Sequence, residues 1–132
     1  MNDQPTSAAV QELLRKGYTA FNARDIDAIL SMMHPEVEWA NGMEGGYVHG
    51  RDGVRAYWTQ QWRLIDPFVE PQAFMTEPDG RTVVEVHQRV LAKDGNTLLE
   101  GTVQHVYQVQ DRLIRHMEIR NPIEDAGYQC QR

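Results

Sequence analysis

The chain has 132 residues, the size of one ordinary domain, and its 41% hydrophobic and 24% charged residues predict a soluble globular protein. Its 13 basic and 19 acidic residues give a net charge of −6 without a basic stripe, which argues against a nucleic-acid partner. No apolar run approaches the roughly 20 residues of a membrane helix, and the polar N-terminus does not resemble a signal peptide. The single cysteine, Cys130, excludes an internal disulfide, so we expect a cytoplasmic protein without a membrane partner.

Three segments in the first half predict helices. Apolar residues recur at helical spacing over residues 9–21, and Asp25 can cap a second helix over residues 26–33. His34-Pro35 predicts the end of that helix, because proline disfavours helical geometry in the residue before it. Helical spacing returns over residues 54–65. Helices therefore dominate the first half of the chain.

Strand patterns dominate the second half. A short alternating segment covers residues 36–40, and four longer candidates cover residues 67–76, 81–92, 97–110 and 113–120. Helices followed by long antiparallel strands predict an α+β fold. No linker or repeat divides the chain, so we expect a single domain over 1–132 with its core at about 8–121.

Two turns set the predicted strand register. Asp94-Gly95 predicts a two-residue type I′ turn, because both positions of that turn need positive φ. A second turn is predicted at residues 110–112, with three residues in its loop. The resulting cross-strand pairs are His87 with Thr102, Glu85 with Gln104, and Gln104 with Glu118. Since side chains alternate along a strand, this register gives the sheet two faces of different character.

One predicted face is apolar and the other is polar. The apolar face includes Val84, Val86, Val103, His105, Tyr107, Met117 and Ile119. The polar face includes Glu85, His87, Thr102, Gln104, His116, Glu118 and Arg120. His105 falls among apolar residues, where a histidine with a satisfied hydrogen bond at an interface is expected.

Several strings resemble the SnoaL-like branch of the nuclear transport factor 2-like superfamily. They are YTAFNARDIDAI at 18–29, HPEVEW at 34–39, YVHGRDGVRAYW at 47–58, and the closing HVY at 105–107 with RHME at 115–118. The resemblance implies a cystatin-like cone, in which about three N-terminal helices pack in a curved antiparallel sheet. It also implies a pocket for a small organic molecule and a homodimer formed through the convex sheet face. On this resemblance we assign the polar face to the pocket and the apolar face largely to the dimer.

The catalytic positions of ketosteroid isomerases are not retained. The resemblance aligns their aspartate base with Asn41, the tyrosine of their first helix with Gly17, and their protonated aspartate with Gln104. The amide of Asn41 cannot remove a proton at ordinary pH. Steroid-isomerase chemistry is therefore disfavoured.

Other branches of the superfamily retain one acidic position. The acid/base aspartate of SnoaL-type polyketide cyclases matches Glu118. In limonene epoxide hydrolases the same position is acidic, an asparagine matches Asn41, and a tyrosine matches Trp39. Their arginine and second aspartate align with Glu85 and His87, so the bridge between two acids is lost and that mechanism is disfavoured.

An acid/base pair remains as the catalytic candidate. Glu118 and His87 share the polar face, and a carboxylate near an imidazole suits proton transfer at neutral pH. Structural pairing or plain solvation of the two side chains remains the alternative. The candidate substrate-binding residues are Asn41, Gln104, Trp39, Tyr18, Glu85 and His116.

The leading prediction is a cofactor-independent enzyme of the isomerase, cyclase or hydrolase type that acts on a small organic molecule. A non-catalytic dimeric ligand-binding domain is the alternative, because the family's catalytic sets are incomplete. The histidines do not show tight ligand spacing and the chain has no glycine-rich phosphate loop, so we expect neither a metal nor a cofactor.

Overall fold

The computed structural model describes residues 7–42 and 44–120, which form the predicted α+β fold. The elements are α1 (Ser7–Asn22), α2 (Ile26–Ser31), β1 (Met33–Ala40), β2 (Tyr47–His49), α3 (Gly50–Leu64), β3 (Ile65–Thr76), β4 (Thr82–Ala92), β5 (Thr97–Gln110) and β6 (Leu113–Arg120). Within these ranges no helix has the length and apolar character needed to cross a membrane. The predictions for Cys130 and for the two termini fall outside the described residues.

The second helix is capped as predicted but ends earlier. The Asp25 carboxylate accepts a hydrogen bond from the backbone N–H of Ala28 at 3.3 Å. The helix stops at Ser31, because the next residues join the sheet: the N–H of Ile114 donates to the carbonyl oxygen of Met32 at 2.9 Å. His34 and the proline after it therefore lie in β1.

All six strands form one sheet in the order β2-β1-β6-β5-β4-β3. Neighbouring strands are antiparallel except β1 and β6, which run parallel, so the sheet is mixed rather than wholly antiparallel. Extra residues in the register mark β-bulges in β3, β5 and β6, which bend strands and increase their twist. Strand β2 lies in a segment for which the sequence predicted only a loop.

The predicted register between β4 and β5 is confirmed, although the turn differs. His87 pairs with Thr102 and Glu85 pairs with Gln104. Gly95 alone has positive φ in this turn, at 93°, and its N–H donates to the carbonyl oxygen of Ala92. A bulge between residues 90 and 91 compensates for the different turn and restores the predicted pairing.

The predicted register between β5 and β6 is wrong by two residues. Gln104 pairs with Arg120, and Glu118 pairs with Val106. The turn has two residues, Asp111 and Arg112, rather than three, and a bulge between residues 108 and 109 adds the second step. Because side chains alternate with a period of two, a shift of two residues leaves the side chains of residues 116–120 on their predicted faces.

We expect glycine at Arg112 to stabilise the protein. Arg112 has φ of 65°, a left-handed conformation that costs a residue with a side chain roughly 1–2 kcal/mol. Arg112→Gly should therefore raise the free energy of unfolding in urea by about 1 kcal/mol. Arg112→Ala keeps the strained conformation and is the matched control, with no gain expected. Equal stability of the two variants would contradict the prediction.

The apolar face of the sheet turns inward and packs against the helices. Its buried residues join a core with the inner residues of α1–α3 and β1: Leu14, Met33, Val37, Val54, Trp58, Val84, Val86 and Met117. The prediction that the polar face lines the pocket and the apolar face forms a dimer interface is therefore wrong. Burying apolar area is worth roughly 25 cal/mol per Å², whereas ionised groups lose hydration when buried. A homodimer through the outer face remains a prediction.

Candidate functional site

A cavity of about 960 Å³ lies between the inner face of the sheet and the helices. Side chains of α1, β1, α3, β4, β5 and β6 line it, together with the loop that follows β1. Among the described residues that line it, none is Asp, Glu, Lys or Arg. The cavity wall is therefore apolar with a few neutral polar groups, a composition typical of small-molecule sites.

Aromatic rings form one side of the cavity. Trp39 of β1 meets Trp58 of α3 edge to face, with ring centroids 5.2 Å apart. Phe21 of α1 contacts Trp58 at 5.4 Å, and Tyr107 of β5 lies 6.1 Å from Trp39. These contacts join four elements, α1, β1, α3 and β5, into one wall against which a flat ring can stack.

Three polar side chains form a chain of hydrogen bonds in the cavity wall. The hydroxyl of Tyr107 donates to the hydroxyl of Tyr18 at 2.8 Å. The Tyr18 hydroxyl also forms a hydrogen bond with Nδ1 of His105, and the two atoms lie 2.8 Å apart. Tyr18 lies on the inner stripe of α1, and the two other residues alternate along β5, so the packing of α1 on the sheet brings them together.

Burial keeps all three groups uncharged. It lowers the pKa of His105 to about 4, and it raises the pKa of Tyr18 and of Tyr107 above the ordinary value for tyrosine. In the tautomer in which Nδ1 accepts a hydrogen bond from the Tyr18 hydroxyl, Nε2 carries the proton. Nε2 has no hydrogen-bond partner in the described part of the chain, so its N–H can donate to a molecule in the cavity.

A second neutral polar group lies at the rim. The Asn41 side-chain oxygen accepts a hydrogen bond from the N–H of Glu44 at 2.9 Å. The Tyr57 hydroxyl accepts from the N–H of Gly42 at 3.1 Å and from the amide of Gln61 at 3.3 Å. These contacts hold the loop after β1 against α3 at the edge of the cavity.

Three of the predicted site residues line the cavity. Trp39 and Asn41 come from β1 and its following loop, and Tyr18 comes from α1. The other five lie on the outer face of the sheet and do not line the cavity: Glu118, His87, Gln104, Glu85 and His116. Their predicted position in the pocket is wrong, for the reason given for the face assignment.

Two of the outer residues, Glu118 and His87, contact oppositely charged or titratable side chains at the surface. Glu118 lies 3.5 Å from Arg81 and 3.5 Å from Arg120, in an arrangement of ion pairs at the surface. His87 pairs with Glu100 of the neighbouring strand at 3.1 Å. The catalytic assignment of Glu118 and His87 stays a prediction, and their distance from the cavity gives it no support.

His116 belongs to a small cluster on the same outer face. Its Nδ1 lies 3.1 Å from Glu38, and the other carboxylate oxygen of Glu38 lies 3.5 Å from His49. The described residues hold no group of three or more His, Cys, Asp or Glu arranged to bind a metal. The cluster is therefore held by close imidazole–carboxylate contacts on the outer face.

His105 and Tyr107 are polar residues of the cavity wall that the sequence prediction did not assign to the site. Both were assigned to the apolar face, and that assignment is confirmed. Polar side chains at every second position of an otherwise apolar strand indicate a buried polar site, because each side chain needs a hydrogen-bond partner once it is buried. The signal was lost when the apolar face was assigned to a dimer interface.

Three helices packed within a bent sheet around an apolar cavity define the nuclear transport factor 2-like fold class. The sequence profile of the SnoaL-like domain matches residues 14–117. The chain belongs to this family.

Solved structures agree with this assignment. A nuclear transport factor 2-like protein of unknown function from Burkholderia pseudomallei is 26% identical, with a TM-score of 0.75, and the match covers 92% of this chain and 95% of that one. TerC, crystallised with polyporic acid, is 26% identical, with a TM-score of 0.75 and coverage of 94% and 99%. A putative polyketide cyclase from Xanthomonas campestris pv. campestris shares the fold at 17% identity, with a TM-score of 0.75 and coverage of 92% and 96%. A search of curated proteins gave no match.

Proposed function

We propose that the protein binds an uncharged ring-bearing carbonyl compound in the cavity and promotes proton transfer on it. The observation that carries this proposal is the Tyr107–Tyr18–His105 chain of hydrogen bonds in the wall of an otherwise apolar cavity. The reaction class is isomerisation or cyclisation of the carbonyl compound, without a cofactor.

The lining supports an uncharged ligand. An ionised ligand that entered the cavity would lose its hydration, and the described lining residues offer it no charged partner. Burying an unpaired ion in this way costs on the order of several kcal/mol. The aromatic wall offers stacking area for a flat ring. TerC, which has the same fold at 26% identity, was crystallised with the small molecule polyporic acid.

The chemistry follows from the state of His105. Its Nε2–H donates to the carbonyl oxygen of the substrate, which withdraws electrons and acidifies the neighbouring C–H bond. As negative charge develops on that oxygen, the hydrogen bond from Nε2–H strengthens and stabilises the enolate, while the hydroxyls of Tyr18 and Tyr107 stay protonated and hold the imidazole in place. The neutral imidazole thus acts as a hydrogen-bond donor to the developing oxyanion.

A second candidate function is binding without catalysis. It is favoured by the absence of a carboxylate from the described lining, which leaves no strong base to remove the proton from carbon. Under the first proposal the acidified C–H bond gives its proton to water. The two functions therefore differ in whether a bound carbonyl compound exchanges hydrogen.

We expect the protein to accelerate hydrogen exchange at the carbon beside the carbonyl of 2-tetralone, measured by proton NMR in heavy water. His105→Asn keeps an acceptor for the Tyr18 hydroxyl but removes the Nε2 donor, so the rate should fall about 100-fold. His49→Asn changes an exposed histidine outside the cavity and should keep the wild-type rate.

Each outcome of this experiment separates the candidates. Saturable binding of 2-tetralone without accelerated exchange supports the non-catalytic function. Unchanged exchange in His105→Asn overturns the role of His105. Glu118→Gln tests the earlier assignment, because only a catalytic role of Glu118 on the outer face predicts a loss of exchange in that variant.

A further inference from the structure

A second polar position faces the cavity on the inner side of β4. Gln88 lines the cavity between Val69 of β3 and Gly101 of β5, its neighbours in the sheet. No hydrogen bond involves its side-chain amide in the described ranges, 7–42 and 44–120. The amide therefore offers a donor and an acceptor to a molecule in the cavity.

Gly101 opens a notch beside this amide. A Cβ atom added at Gly101 would have no atom within 4 Å, although the residue sits inside a long strand. Glycine in the interior of a strand costs stability and often marks a place where another molecule approaches the backbone closely. The space beside Gln88 is thus left open by the sequence rather than filled by a side chain.

The notch lies far from the hydrogen-bond chain of His105. The two positions are four residues apart on the inner face of β5, and a strand rises about 3.3 Å per residue, so their Cα atoms are separated by roughly 13 Å. Apolar residues lie between them, with Val103 on β5 itself. An apolar stretch of the cavity wall therefore separates Gln88 from the hydrogen-bond chain of His105.

We propose that Gln88 and Gly101 recognise the far end of an elongated ligand that carries a hydrogen-bonding oxygen at each end. One oxygen meets Nε2–H of His105, and the other meets the amide of Gln88 in the notch at Gly101. This proposal rests on the proposed function, since both use the same cavity and an uncharged ring-bearing ligand. It adds the length of the ligand and its second polar group.

Isothermal titration calorimetry with two rod-shaped probes tests the role of Gln88. The probes are 4-hydroxybiphenyl and 4,4′-dihydroxybiphenyl, which differ only in the distal hydroxyl. Wild-type protein should bind the diol about two- to tenfold more tightly, the worth of one neutral hydrogen bond. Gln88→Met keeps the size of the side chain and should abolish that preference without weakening binding of 4-hydroxybiphenyl.

A matched control and a second variant complete the test. Gln104→Met makes the same change on the outer face and should keep the preference for the diol. Gly101→Val fills the notch and should weaken binding of both biphenyls at least fivefold, while binding of the shorter 2-naphthol stays unchanged. An unchanged urea midpoint should show that Gly101→Val folds normally, because its new side chain enters open space.

Two results would overturn the proposal: no preference for the diol in the wild type, or an equal preference in Gln88→Met. Equal binding of the biphenyls to Gly101→Val and to wild type would also overturn it. Binding and exchange are independent readouts. An intact preference for the diol without accelerated hydrogen exchange would refute the proposed catalysis alone. Accelerated hydrogen exchange without a preference for the diol would refute the recognition site alone.

Discussion

Replacement of Trp58 by alanine is expected to lower the free energy of unfolding by about 3–5 kcal/mol, as for other buried aromatic residues. Trp58 is only 2% exposed and contacts Phe21, Trp39 and Trp62 through its ring. Its removal would delete the centre of the aromatic wall and enlarge the neighbouring cavity. Urea denaturation followed by circular dichroism measures the loss.

Trp62→Phe is the control for this experiment. The indole N–H of Trp62 is the one buried side-chain polar atom without a hydrogen-bond partner among the described residues. Phenylalanine removes that unpaired donor and keeps most of the ring contact, so its effect on stability should stay within about 1 kcal/mol. A loss below 1 kcal/mol for Trp58→Ala would show that the cavity wall rearranges and that the ring cluster is not rigid.

Acidification is expected to destabilise the wild-type protein more than His105→Asn. The unfolded chain protonates a histidine near its ordinary pKa of 6.5, but burial holds the pKa of His105 at about 4 in the folded protein. The contribution of the buried neutral imidazole to the free energy of unfolding is therefore fully present above about pH 6.5 and is lost as the pH falls toward 4. Between about pH 7 and 4.5 the wild type should lose roughly 2.5 kcal/mol more than the variant.

Urea denaturation at a series of pH values measures that difference. His49→Asn is the matched control, because it removes an exposed histidine and should follow the wild-type curve. Parallel curves for wild type and His105→Asn would mean that the pKa of His105 is not lowered by burial in the folded protein.

The faces of the sheet were predictable because they depend on local alternation. Asp94-Gly95 predicted the position of a hairpin, and the pairing of His87 with Thr102 followed correctly even though the turn type differed. The error of two residues at Glu118 came from a two-residue turn and a bulge, neither of which leaves a clear composition signal. The alternation of faces was preserved beyond the bulge, because the turn and the bulge each shifted the pairing by one residue and together gave a shift of two.

The direction in which each face points was not predictable from the alternation. The resemblance to enzymes of the superfamily favoured carboxylates in the pocket, so Glu118 and His87 were assigned there. The physical rule that apolar faces pack inward would have given the correct orientation and placed His105 beside Tyr18. The hydrogen bond between them still needs the packing of α1 on β5, which connects residues 87 positions apart.

The parallel pairing of β1 with β6 has a consequence for how the chain reaches its fold. Glu38 pairs with His116, 78 residues later, and β6 lies between β1 and β5 in the sheet. Such distant pairing gives a high contact order, which slows folding because a long loop must close before the contacts form. The first strand cannot complete its ladder until β6 has left the ribosome. Folding of the sheet therefore waits for the synthesis of β6, and β1 is exposed to wrong partners until then.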